Sequence, residues 1–572
     1  MRSALWTLVL ALSPLAVAPV AGQDTSVVVS RRGLVVSAEP YASDAGAAIL
    51  EKGGNAVDAA VATAFALAVT YPAAGNIGGG GFMIVQPVDG PAVAIDYRER
   101  APLKSTQTMY LGPDGRIDRS LTAFGYLAPG VPGTVRGLEM AHKKYGRLPW
   151  RDVVMPAVEL AEGGFPLSEG LAGSLNSLVA GPMKRYGPSV AAYGKPGGGT
   201  WQAGDTLRLT LLGKSLRAIA EEGPNVFYQG WIADRIADDM AAHGGIISRD
   251  DLRAYVAVER APIRGTYRGH EIISMPPPSS GGVALVEMLN ILERFELRNR
   301  PRYGVTNVHL TIEAMRRAYL DRARHLGDPD FSEVPAARLT DKSFAAELAR
   351  EIDTAHAASS VTLGGDIVTV SATEPEETTH FSVVDADGMA VANTYTLEGG
   401  YGSFVVVEGA GFLLNNEMGD FNKKPGETNP QGDIGTAANL IAPGKRMLSS
   451  MTPTIVRKDG RTVLVTGSPG GRTIINTVLS VVLGVVEFGM TPREAVDAQR
   501  IHHQWLPDQT TIEAEAVSPE DLERLRAMGH TIRVSRVRWS QGDAHTIWID
   551  LATGEAHGVN DRRTKDSKAS AP

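Results

Sequence analysis

The chain of 572 residues contains no cysteine. That absence excludes a cysteine nucleophile, thiolate metal sites and disulfides, and it leaves the redox compartment undetermined. Clustered positive charge is also missing. The net charge is −8 and no lysine- or arginine-rich tract occurs, which argues against a nucleic-acid partner. No transmembrane segment is found, because the apolar helix candidates carry charges or end in prolines, and the first residues read MRSALWTLVLALSPLAVAPVAGQD. There the run Ala4 to Ala18 is shorter than the ~20 residues a membrane span needs, and Pro14 and Pro19 interrupt it. With Arg2 before it and Val20-Ala21-Gly22 after it, the segment 1–22 reads as a cleaved secretory signal and not as a stable membrane anchor.

Familiar cofactor and metal signatures are absent too. GNIGGGG follows a helical pattern and lacks the frame of a dinucleotide fingerprint, and GSPGGR lacks the Lys-Ser/Thr ending of a phosphate loop. The adjacent histidines of HHQWLPD lack helical ligand spacing, so no metal and no cofactor are assigned. No internal repeat is found.

What is present is an α+β alternation. Asn55 caps an alanine-rich run, AVDAAVATAFALAVT, that is apolar nearly all round and so predicts a buried helix. The middle, about 140–350, is mostly helical by pattern, with GWIADRIADDMAAHGG and NVHLTIEAMRRAYLDRARHLG the best amphipathic runs. Beyond position 378 the pattern switches to strands. FSVVDADGMAVANTYT and PTIVRKDGRTVLVT each predict a hairpin, turning at Asp387-Gly388 and Asp459-Gly460. Thr491 to Glu494 and Ser518 to Asp521 predict two capping boxes. Neither hairpin can bury its apolar face alone, so strands from both sides of position 378 are expected to share one sheet in one intertwined domain. The last dozen residues, DRRTKDSKASAP, are polar and are expected to fray.

The seam itself, EPEETTHFSVVDADG, poses the chemical question. A threonine hydroxyl is a poor nucleophile unless a base takes its proton, and a cut before Thr378 would make its own α-amine that base. A free α-amine titrates near ~7.7–8.0, so about a tenth is unprotonated at neutrality. Other candidates are weaker singly. Gly470 and Gly471 join a strand to a helix and could bind an oxyanion, although taken alone they read as a tight turn. Ser449-Ser450 could be turn residues, Arg98 a salt-bridge partner, and the cluster Asn415 to Asp420 a polar strand end.

Together these segments resemble the γ-glutamyltranspeptidases, self-cleaving members of the N-terminal-nucleophile hydrolases. The resemblance runs from about Gly33 to near the C-terminus, through GGNAVDAA, NIGGGGFM, DYRERAP, GVPGTV, PPPSSGG, TTHFSVVD, LLNNEMGDF, LSSMTPTIV, TGSPGG and HHQWLPD, in that order. It implies a four-layer αββα sandwich built jointly by a large subunit, 23–377, and a small subunit, 378–572, cut from one precursor between Glu377 and Thr378. It implies Thr378 as nucleophile, Thr396 as its hydrogen-bonding support, and Gly470 and Gly471 as the oxyanion hole. Arg98, Ser449 and Ser450 would hold the substrate's α-carboxylate, and Glu417 and Asp420 its α-ammonium. A lid loop would span Lys424 to Gly444. The implied donors are glutathione and related γ-glutamyl compounds, and the acceptors are water, amino acids or peptides. The implied location is secreted and periplasmic. Two positions depart from the family pattern: Glu398 stands where many members have Asn, and Gly419 replaces the first acid of an Asp-Asp pair. Glu398 is therefore expected at the substrate ammonium or on the acceptor side. The alternatives are a glutaryl-cephalosporin acylase of the same fold and a catalytically inactive binding homologue.

Overall fold

Alternating apolar residues in FSVVDADGMAVANTYT become an antiparallel hairpin, Thr379–Asp385 with Ala390–Thr396, turning through Gly388 at φ 97°. The computed structural model describes residues 27–365, 378–426, 428 and 435–572. The signal segment 1–22, Glu377 and part of the Lys424 to Gly444 loop lie outside the described residues. Phe381, Val383, Val391 and Tyr395 face one way and pack under helices. Val384, Ala390 and Ala392 face the other way, as the two-residue period of a strand requires.

This hairpin forms the middle of a seven-stranded antiparallel sheet. The order is Lys568–Ser570, Gly33–Ser37, Thr379–Asp385, Ala390–Thr396, Gly80–Gln86, Val93–Tyr97 and Val258–Arg260. The second predicted hairpin, Thr454–Lys458 with Arg461–Thr466, turns through Asp459 and Gly460, both at positive φ as a two-residue turn of this hand demands. It lies within a second seven-stranded sheet, ordered Val27–Ser30, Ala556–Val559, Thr546–Ile549, Arg461–Thr466, Thr454–Lys458, His270–Ser274 and Ile263–Tyr267. Both sheets mix strands from before and after position 378.

The sheets stack through Leu34, Val36, Phe82, Ile84, Ile273, Ile455, Val465 and Ile547. On the outer face of the first sheet lies Ala56–Thr70, buried at every residue and closed by the Asn55–Asp58 capping box. The second sheet is covered by Gly281–Leu292, Val305–His325 and Thr473–Val482. The result is the expected four-layer αββα sandwich. Among the described residues no helix is long and apolar enough to cross a membrane. Of the two expected capping boxes, Thr491–Glu494 is complete, whereas Ser518 only accepts from the Asp521 amide.

The C-terminal tail corrects an expectation. Instead of fraying, Lys568–Ser570 adds an edge strand to Gly33–Ser37. Ahead of it, Asp561 is fully buried, paired with Arg500 and Arg563 and accepting from the Ala544 amide at 2.8 Å. Polarity along the tail suggested solvent, but the charges are matched by partners far away in sequence. Burial acts against the Asp561 charge, yet the two arginines outweigh it and hold the carboxyl down at about 2. A depressed carboxylate contributes stability that is present above about pH 4 and lost as pH falls toward about 2. Asp561→Ala is expected to cost about 3–5 kcal/mol by leaving the buried Arg500 guanidinium without its carboxylate partner, measured by denaturant unfolding. A variant as stable as the parent would refute this account.

Candidate active site

The strand register places Thr379 opposite Tyr395, and so sets Thr378 and Thr396 against each other at the open end of the hairpin. Thr378 is 5% exposed. The Thr396 hydroxyl oxygen accepts from the Glu398 amide at 2.9 Å, which leaves its proton to be donated elsewhere. Thr378, His380 and Ser382 share the face that looks toward the second sheet. His380 is fully buried between Thr394 Oγ1 at 2.8 Å and Ser382 Oγ at 3.0 Å. Because Ser382 donates to the His545 carbonyl at 2.7 Å, it accepts from His380 Nε2, and Nδ1 then accepts from Thr394. Burial, with His545 nearby, pushes His380 well below the usual histidine range, so the ring is neutral.

That ring packs against Gly467, where any Cβ would fall inside the imidazole. Gly467 opens the loop between the strand Arg461–Thr466 and the helix Thr473–Val482. Gly470 and Gly471 stand at φ 123° and 54°, a region that glycine alone enters without strain. Their carbonyls bond back to Thr473 and Ile474. Among the described residues neither glycine amide has a protein acceptor. Two amides at the head of a helix can stabilise a developing oxyanion. Ser468 braces the loop, donating to the Pro469 carbonyl at 2.7 Å and accepting from the Asp543 amide at 2.8 Å.

The acidic wall is built on Arg98, 1% exposed, at the end of the strand Val93–Tyr97. Its guanidinium pairs with Glu417 and Asp420, and Glu99 lies 3.7 Å away. Burial works against the Arg98 charge, but these three acids outweigh it and keep the arginine protonated. Burial pushes the Glu99 carboxyl up to about 8 and drives Glu417 well above the usual carboxylate range, with Arg98 offsetting this only in part. Glu398 adds to the shift of Glu417. Three carboxyl groups therefore share one arginine, with Glu398 close to one of them, an arrangement that favours an incoming cation.

Gly419 and Glu398 touch. A Cβ at 419 would sit 2.7 Å from Glu398 Oε1, so the missing side chain at one position makes room for the larger side chain at the other. Asn415 fixes the start of this wall with all its amide atoms, donating to Gly78 and Gly130 and accepting from Gly130 and Glu417. The glycine-rich run at 76–83 is explained in the same way: it is no phosphate loop. Gly79 lies against the Thr396 carbonyl, and Asn76 donates to that carbonyl at 2.8 Å.

At the serine end, Ser449 Oγ accepts from the Met451 amide at 3.1 Å and Ser450 Oγ accepts from Arg322 at 3.0 Å. One pocket is lined by Arg98, Thr378, Thr396, Glu398, Glu417, Asp420, Ser449, Ser450 and Gly471. Of the residues singled out from sequence, Gly470 lies beside that lining and Glu377 outside the described residues. Arg322, Arg472, Met451 and Ile474 also line it, and sequence reasoning missed them. Arg322 had one legible signal, since it falls on the side of an amphipathic helix away from Glu313, Arg317, Asp321 and Arg324. The paired histidines of HHQWLPD are absorbed locally, His502 by Asn476 and Gln504, His503 by Thr510.

Two stacked antiparallel sheets between helical layers, with a threonine heading a central strand, define an N-terminal-nucleophile hydrolase. The family model "Gamma-glutamyltranspeptidase" matches residues 42–571, and the chain belongs to that family. It is 45% identical to the glutathione hydrolase proenzyme of Escherichia coli (strain K12), covering 94% of this chain and 91% of that protein. The acylase ACY 1 proenzyme of Pseudomonas sp. (strain SE83) is 39% identical over 88% of this chain and 87% of its own. The crystal structure of a cephalosporin acylase from Bacillus halodurans superposes with a TM-score of 0.83 at 27% identity, covering 98% of this chain and 99% of that one.

Packing at the loop can be tested directly. Gly467→Ala is expected to lose about 1–3 kcal/mol by forcing a methyl group into the His380 ring, read as a lower Tm. An unchanged Tm would show that the two elements are not in contact.

Proposed function

We propose that this chain is a self-processing γ-glutamyltransferase and glutathione hydrolase. The observation that carries the reading is a single pocket in which a strand-heading threonine meets both an arginine–serine set and a cluster of carboxylates. A γ-glutamyl head bears an α-carboxylate and an α-ammonium on one carbon, and it needs both kinds of partner at once.

In maturation the Thr378 hydroxyl attacks the Glu377 carbonyl carbon, and the peptide nitrogen leaves as the Thr378 amine. Water then opens the resulting ester, freeing the Glu377 carboxylate and the Thr378 hydroxyl. The new amine takes the hydroxyl proton as Thr378 attacks the γ-glutamyl amide. Thr396 donates to the nucleophile, and the Gly470 and Gly471 amides receive the oxyanion. Collapse expels the amine, in glutathione the cysteinylglycine portion, and water or an acceptor amine takes the acyl group from Thr378. Arg98, Ser449 and Ser450 hold the carboxylate, while Glu417, Asp420 and Glu398 hold the ammonium. The mature protein is a secreted, periplasmic pair of subunits, 23–377 and 378–572.

A glutaryl acylase is the second reading, favoured by the contact between Gly419 and Glu398 in the ammonium wall. Asp420→Asn separates the two. It is expected to raise KM for γ-glutamyl anilide roughly 10- to 100-fold, the worth of one charged hydrogen bond, and to leave glutaryl anilide nearly unchanged. Equal losses on both substrates would remove Asp420 from the ammonium site. Thr378→Ala is expected to leave the chain uncut by mass spectrometry, whereas N-terminal sequencing of the parent should find Thr378 at the head of a second chain. Cleavage in the alanine variant would end the mechanism.

A further inference from the structure

Arg322 belongs to the helix Val305–His325, is 8% exposed, and lines the pocket that holds Thr378. Its Nη2 donates to Ser450 Oγ at 3.0 Å and its Nε to Ser280 Oγ at 2.9 Å. Ser280 completes a clamp. Its hydroxyl donates to the Ser449 carbonyl at 2.6 Å, and its amide reaches the same oxygen at 2.8 Å. Next to it, the Ser279 hydroxyl donates to the Met451 carbonyl at 2.5 Å. The segment PPPSSGG thus holds the backbone of Ser449 to Met451, and Arg322 ties the two together.

The bond has a chemical consequence. A hydroxyl oxygen that accepts from a guanidinium is polarised, and its own proton turns toward whatever acceptor the pocket presents. Ser450 is thereby made a donor to an anion, and positive charge stands behind it. Arg98 is ion-paired among Glu99, Glu417 and Asp420. The pocket has a carboxylate-rich end and a serine end, and Arg322 stands at the serine end, bonded to Ser450.

We propose that Arg322 is a positioning and specificity residue for the carboxylate of the donor substrate, acting through Ser450 and through its own charge. This rests on the γ-glutamyl reading, and the test keeps the two apart. Binding of L-glutamate, glutarate (no ammonium) and 4-aminobutyrate (no α-carboxylate) to the mature enzyme is measured by titration calorimetry. Arg322→Gln is expected to weaken L-glutamate and glutarate about 10-fold or more and to leave 4-aminobutyrate within about 2-fold, with Arg322→Lys recovering part of the loss. With γ-glutamyl anilide the change should fall on KM far more than on kcat. If the glutamine variant does not mature, Ser280→Ala, which removes the second anchor of the guanidinium, should give the same ligand pattern at smaller size. Equal weakening of all three ligands, or a loss confined to kcat, would overturn the proposal by making Arg322 merely structural. A parent enzyme that binds none of the three would instead sink the γ-glutamyl reading.

Discussion

Thr378 heads a strand that is hydrogen-bonded on both edges, to Gly33–Ser37 on one side and to Ala390–Thr396 on the other, and the site depends on that double pairing. A strand held from both sides would keep its register if the peptide bond before it were broken. Register matters because a slip of one residue would turn Thr378, His380 and Ser382 away from the second sheet. The same face passes from polar at the site, Thr378, His380 and Ser382, to apolar at Val384 within one strand. His380 is where the two sheets meet behind Thr378, its neutral ring bonded to one sheet and packed on Gly467 of the other.

The electrostatics follow from burial. One buried arginine with three carboxyl groups around it offsets their burial only in part, so the ionisation of Glu99 and Glu417 is held back. The serine end has the opposite bias, because each hydroxyl oxygen accepts from a protein donor, Arg322 or the Met451 amide, and its own proton can turn toward an anion. Gly419 and Glu398 face one another in the acidic wall, and the room left by the missing side chain at 419 is filled by the Glu398 carboxylate.

Much of this was legible in the chain. Strand-forming runs closing on Asp387-Gly388 and Asp459-Gly460 gave both hairpins, and Asn55 with Asp58 marked the helix that the first sheet lies upon. The site residues were legible as short motifs because each stands where a strand ends, Arg98 after Tyr97, Thr396 at the close of its strand, and Gly470 before a helix. The glycine-rich run at 76–83 was visible as a pattern, but its cause was not: Gly79 is there because the Thr396 carbonyl, more than three hundred residues away, leaves no room for a side chain. The tail was misread for a related reason, as its polar residues find buried partners in Arg500 and Gly33–Ser37.

By itself the sequence determined the hairpins, the Asn55 and Thr491 helix caps and the presence of groups able to do acyl-transfer chemistry, because each rests on local spacing and on functional-group chemistry, while the layer order and the site roles were implied by the family resemblance. Tertiary structure alone decided which charges face one another, why Gly467 can carry no side chain, and that Arg322 reaches Ser450. Those are contacts between segments far apart in the chain, and no local pattern encodes a distance between them.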